Sequence, residues 1–117
     1  MEIIRTDLKE NEFTMDLYYS LFEDEDRLPL KEAAGKDLEF EHYAIYNDIN
    51  GAGDEVELLV LQERDGAVYV TNSFPFITSF SRIMDMGDRT GNTIRKVRIE
   101  ERAGKNKRNF LHAKFIR

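Results

Sequence analysis

Two runs of alternating apolar and polar residues, Thr93–Glu101 and Phe110–Ile116, close the chain, and a short basic loop, Ala103–Asn109, joins them. The alternation predicts a β-hairpin. Val97 and Ile99 face a core on the first arm while Lys96 and Arg98 face out; on the second arm Leu111, Ala113 and Phe115 face in, leaving Phe110, His112 and Lys114 outside. Its loop carries Lys105, Lys107 and Arg108 beside the aromatic Phe110. Three cations and a ring at one tip are more than a turn requires. Single-stranded nucleic acid needs both, cations for its phosphates and ring faces for its bases.

Upstream, the pattern sets out the rest of a small fold. Thr14 is placed to cap a short helix over Met15–Phe22, with Phe13 stapling onto Tyr18, and the acidic run Glu23–Asp26 ends it. Asp37–Tyr46 alternates imperfectly, as a strand that bends and changes sides would. Val56–Gln62 is nearly continuous aliphatic and reads as a buried strand. Arg64-Asp65-Gly66 turns the chain into a third strand, Ala67–Asn72. Ser73 then caps a second helix whose apolar face is Phe76, Ile77, Phe80, Ile83 and Met84, with Gly87 as its stop. The expectation is a mainly β protein: a five-stranded OB-fold barrel over residues 30–117, with one helix between strands three and four, preceded by an N-terminal extension, residues 1–29. A β-grasp or SH3-like barrel would give a similar string, but the helix position favours the OB order.

The net charge of −6 argues against a nucleic-acid partner until its distribution is considered. Met1–Asp88 holds 7 Lys+Arg against 21 Asp+Glu, a net of −14, whereas Arg89–Arg117 holds 10 against 2, a net of +8. Charge so segregated creates a local field that the total conceals, unless the two halves simply pair with each other. No apolar run is long enough to span a bilayer, and the N-terminus lacks the layout of a signal peptide, so a cytoplasmic location is expected. The absence of cysteine removes disulfides, thiolate metal sites and cysteine nucleophiles together.

Catalytic and cofactor patterns are missing. His42 and His112 are the only histidines, and neither sits in a nucleophile or metal-helix context. Gly51-Ala52-Gly53 has no Gly-Lys-Ser/Thr after it, and no glycine run leads from a strand into a helix. The loop Asn47–Asp54 fails as a calcium loop, with Ala52 in the fifth place and Leu59 in the twelfth. Neither an enzyme, a metal nor a cofactor is expected.

Several segments carry a likeness. Gly104-Lys105-Asn106-Lys107-Arg108-Asn109-Phe110 resembles the Gly-Lys-x-x-Arg-x-aromatic loop of phage-encoded single-stranded-DNA-binding proteins. So do the entry Leu30–Glu39 ahead of Tyr43-Ala44-Ile45, and Tyr69–Ser73 running into a Phe-Ile helix. Together they resemble the proteins of this kind from lactococcal siphophages, over about Leu30–Arg117. The resemblance implies an OB-fold, sequence-independent binding of single strands in phage replication and recombination, and a homo-oligomer in the host cytoplasm, a dimer or tetramer. It departs in two ways: the chain ends in Lys114-Phe115-Ile116-Arg117 rather than an acidic tail that recruits partner enzymes, and it has no tryptophan.

The binding surface of an OB-fold is the outer face of its second and third strands, rimmed by the loops between strands one and two and between four and five. On that basis Lys105, Lys107 and Arg108 are assigned to phosphates and Tyr46, Tyr69 and Phe110 to bases, with Arg64, Lys96, Arg98 and Lys114 extending the track. Two rivals remain. One is a protein-interaction module docking through its acidic half or its basic hairpin; the other is an oligomeric structural protein in which Met1–Phe22 swaps between subunits.

Overall fold

A computed structural model describes residues 1–117. Its central element is β3, Asp37–Ile49, and the bend foreseen there has a specific cause. A register shift between Phe40 and His42 lets the strand change parity. Leu38 and Phe40 point into the main core before the bulge, and Tyr43 and Ile45 do so after it. Ala44 and Tyr46 now face the opposite side, where a second cluster covers them. From Tyr43 to Tyr46 the strand is therefore buried on both faces. A bulge of this kind bends a strand and re-aims its side chains.

The bend lets β3 serve two halves of one curled sheet. Its first residues, Asp37–Glu39, pair with β6 (Lys96–Ala103), and the remainder pairs with β4 (Glu55–Glu63). Beyond β4 lies β5 (Val68–Thr71), and β7 (Asn109–Phe115) pairs with β6. Two further strands, legible in no period, complete the sheet. β1 (Glu2–Thr6) pairs antiparallel with β3, and the two-residue β2 (Leu28–Pro29) lies parallel to β5. The sheet thus has seven strands, not five, in the order β2-β5-β4-β3-β6-β7 with β1 alongside β3. It is a mainly β half-barrel with two helices.

Both helices form where the sequence places them. Thr14 caps α1 (Met15–Phe22), its hydroxyl accepting from the Leu17 amide at 3.1 Å, and the Phe13 and Tyr18 rings meet edge to face with centroids 6.2 Å apart. Ser73 caps α2 (Phe74–Thr90). Phe76, Phe80 and Ile83 of α2 fill the concave side against Phe40, Tyr43 and Val97, each side chain contributing about 1.5–3 kcal/mol by leaving water. The stop is Gly91, left-handed at φ 69°, one turn beyond the expected Gly87. Gly87 has a different purpose. A β-carbon there would lie 2.8 Å from the Asn92 carbonyl oxygen and 2.8 Å from Ile94 Cγ1, so glycine lets the exit loop fold back onto the helix. Phe115, expected inward, is 43% exposed at the end of its strand.

The N-terminal segment is fastened to the convex side. Leu21 and Phe22 of α1 press on Ala44, Tyr46 and Val60, with the Phe22 and Tyr46 rings edge to face at 5.0 Å. Asp7 acts as a clasp: its carboxylate accepts from the Tyr43 amide at 2.9 Å, meets His42 Nδ1 at 2.8 Å and takes Arg95 at 3.2 Å. Arg5 reaches Asp85 and Asp88 on α2 at 2.6 and 2.9 Å. The rejected calcium loop is folded by Asn50, whose side-chain oxygen accepts from the amides of Ala52 and Asp54. No helix is long and apolar enough to cross a membrane.

Replacing Gly by Ala inside a helix ordinarily stabilises a protein by about 0.5–1 kcal/mol. At Gly87 the crowding reverses the sign, and Gly87→Ala should lower stability by about 1–3 kcal/mol in urea denaturation. A variant as stable as the parent would show that the Asn92–Ile94 turn gives way freely.

Candidate nucleic-acid interface

The β6–β7 hairpin carries its cations on one face because the strand register puts them there. Arg98 stands opposite Lys114, Glu100 opposite His112 and Arg102 opposite Phe110, while Val97, Ile99 and Ala113 are buried on the reverse. Two like charges directly across a strand pair destabilise it, by up to about 1 kcal/mol. The fold offsets half of this locally, since Asp37 binds Arg98 at 2.7 Å, and that hydrogen bond holds the Asp37 carboxyl below its usual range. Lys114 has no such partner. His112 lies between these cations, and burial, aided by Arg102, lowers its pKa from the ordinary value, which disfavours its charged form.

At the tip, the Gly104 amide donates to the Arg108 carbonyl at 2.7 Å and closes a tight loop. A β-carbon on Gly104 would lie 2.8 Å from that carbonyl oxygen and 3.3 Å from Cδ1 of Phe110, so the glycine permits both the closure and the approach of the ring. Asn106 and Lys107 adopt left-handed backbone at φ 67° and 61°. Asparagine tolerates this; lysine is strained there, by about 1–2 kcal/mol. Lys105, Lys107 and Arg108 are all exposed, and none has a carboxylate within 4.0 Å.

Pairing between the acidic and basic parts of the chain is therefore real but partial. Arg95 reaches Asp7, Arg98 reaches Asp37, and Arg102 is held by Glu100 at 3.1 Å on its own strand. Seven cations are left over: Lys96, Lys105, Lys107, Arg108 and Lys114 on the hairpin, Arg89 at the end of α2, and Arg117 beyond β7. Exposed pairs of this sort are worth about 0–1 kcal/mol, so a phosphate could compete for Arg98 or Arg102 at little cost.

Of the residues expected to form the site, the structure brings Lys96, Arg98, Lys105, Lys107, Arg108, Phe110 and Lys114 onto this hairpin. Arg64 sits apart, at the β4–β5 turn, exposed but bridged to Glu39 at 2.9 Å. Tyr46 and Tyr69 are corrections. Tyr69 is on the concave side, in the main core with Leu59 and Leu61. Tyr46 is 1% exposed beneath Phe22, and its hydroxyl accepts from Arg27 at 2.9 Å. Neither ring can stack on a base. Tyr69 is lost because it points inward, and Tyr46 because α1 and the residues around it cover the outer face of β3, β4 and β5. Arg27 fixes that cover by also donating to the Leu21 and Asp24 carbonyls at 2.9 and 3.0 Å.

Sequence reasoning passed over Arg102, which sits across from Phe110, and an open groove between the two sheet edges lined by Leu30, Lys31, Val70, Asn72, Phe110 and Leu111. Lys31 and Asn72 lie in connectors, where no period marks a side chain's direction. No protein-family model matches the sequence, and no curated protein or solved structure matches it significantly.

If Lys107 is strained for the sake of its charge, Lys107→Gly should relieve the backbone and remove the cation at once. Urea denaturation should show stability unchanged or raised by up to about 1 kcal/mol. A loss of stability would mean that the lysine side chain supports the loop.

Proposed function

We propose that this protein binds single-stranded DNA without sequence preference, through the tip and outer face of the β6–β7 hairpin. The observation that carries the reading is the set of unpaired cations Lys105, Lys107 and Arg108, held in a strained loop beside Phe110, while the neighbouring arginines are neutralised by acids. The strand order supports it. Without β1 and β2 the sheet reads β5-β4-β3-β6-β7 with α2 between β5 and β6, which is the order expected of an OB-fold, and the hairpin loop is then the one between strands four and five. In this reading the protein is not an enzyme. Cations take the phosphates, Phe110 takes a base, and affinity comes from counterion release and stacking.

The likeness of Gly104–Phe110 to the phage proteins gives the reading its setting, DNA replication and recombination in a host cytoplasm, as a homo-oligomer. The exposed carboxylates Glu23, Glu25 and Asp26 would then repel the strand from the α1 side and are free to meet replication or recombination proteins.

The test is fluorescence anisotropy of a labelled oligo-dT at about 50 and 200 mM salt, with a duplex of equal length as control. The single strand should bind with a marked salt dependence and the duplex weakly. The double variant Lys107→Glu/Arg108→Glu should lose at least about tenfold in affinity, and the salt slope should fall by about 1.4 for two lost phosphate contacts. An unchanged double variant would remove the tip from the site; no binding at either salt would defeat the reading.

A further inference from the structure

The curled sheet brings its two edges, β2–β5 and β7, face to face without joining them. Between them runs a groove of about 550 Å³, with Leu30 and Val70 on one side and Phe110 and Leu111 on the other. That is the size range of small-ligand sites, about 300–1,000 Å³. Two features make it more than a gap in a barrel.

The first is main-chain hydrogen-bonding capacity. The Gly104–Arg108 bond and the alternation of antiparallel pairing direct the main-chain groups of Phe110, His112 and Lys114 toward β6. Those of Leu111 and Ala113 must then point away from it. The Ala113 amide is taken by Ser79 Oγ on α2 at 2.9 Å. Leu111, one step closer to the tip, presents its amide and carbonyl to the groove. The second feature is charge. Two cations line the groove on the β2–β5 side: Arg27, which donates to the Leu21 and Asp24 carbonyls, and Lys31, exposed and with no carboxylate within 4.0 Å. An apolar slot with a ring, a free donor and acceptor, and an unpaired cation on its rim matches the parts of a nucleotide: planar base, polar edge and phosphate.

We infer that this groove holds one nucleotide of the bound strand, its base against Phe110 and the Leu111 main chain and a phosphate on Lys31. The inference rests on the single-strand reading and adds a path to it: the strand leaves the hairpin face at the tip and crosses to the β2–β5 edge, bridging the open side of the half-barrel.

Lys31 separates this path from one confined to the hairpin, because it lies outside β6 and β7 and its replacement breaks no ion pair. Lys31→Glu, checked for folding by circular dichroism, should weaken oligo-dT binding about tenfold at about 50 mM salt and lower the salt slope by about 0.7. A strand carrying 5-iododeoxyuridine should also photo-crosslink to Phe110 or to its groove neighbours. If Lys31→Glu binds like the parent while Lys107→Glu/Arg108→Glu does not, the inference fails and the hairpin reading stands. Full strand affinity in Lys31→Glu, together with loss of self-association in light scattering, would assign the groove to a second copy of the chain and also overturn it. A parent protein that binds no strand removes the underlying reading and the inference with it.

Discussion

The double-sided burial of β3 is the constraint on which the rest of the molecule depends. Tyr43 and Ile45 are held by the α2 core, Ala44 and Tyr46 by the α1 cluster, and the bulge after Phe40 makes both possible in one strand. Because the two cores share this strand, α1 is part of the folded unit, fixed by Asp7 and Arg27 as well as by its apolar face. The same burial decides which surfaces are open. A sheet face that an OB-fold could offer to a ligand is used here for packing, and the outer face of the β6–β7 hairpin and the gap beside it stay open.

Electrostatics point to the same place. The molecule is acidic overall, so at long range it repels a polyanion, and only a local concentration of unmatched cations can reverse that. The ion pairs remove Arg95, Arg98 and Arg102 from that concentration in part, and leave the tip and the flanking lysines. Opposed Arg98 and Lys114, a left-handed Lys107 and an exposed Phe115 each cost stability in the hairpin. Such costs, gathered in one element, are expected where a surface is kept for a ligand.

Much of the fold was legible because its segments obey simple periods. The α2 face Phe76–Met84, the Asp65-Gly66 turn and the two arms of the terminal hairpin could be read from spacing alone. β2 could not, because two residues, Leu28 and Pro29, carry no period, and β1 could not, because Ile3 and Ile4 are adjacent rather than alternating. Of the site, the tip cations and Phe110 were readable as a cluster in sequence. Tyr46 misled because a strand buried on both faces leaves no outward parity, and Tyr69 because in the short β5 it is the ring, not its valine neighbours, that turns into the main core. The groove was invisible for a different reason: Leu30, Val70 and Phe110 come from segments far apart in the chain that meet only when the sheet curls.

The measurement that tests the central claim most directly is hydrogen–deuterium exchange with and without saturating oligo-dT, because it separates the hairpin from the sheet face beneath α1. The account predicts slower exchange in Arg102–Leu111 and no change in Met15–Phe22 or Ala44–Tyr46. Faster exchange in Met15–Phe22 on binding, with protection at Ala44–Tyr46, would mean that the strand displaces α1 and takes the covered face, and would contradict it.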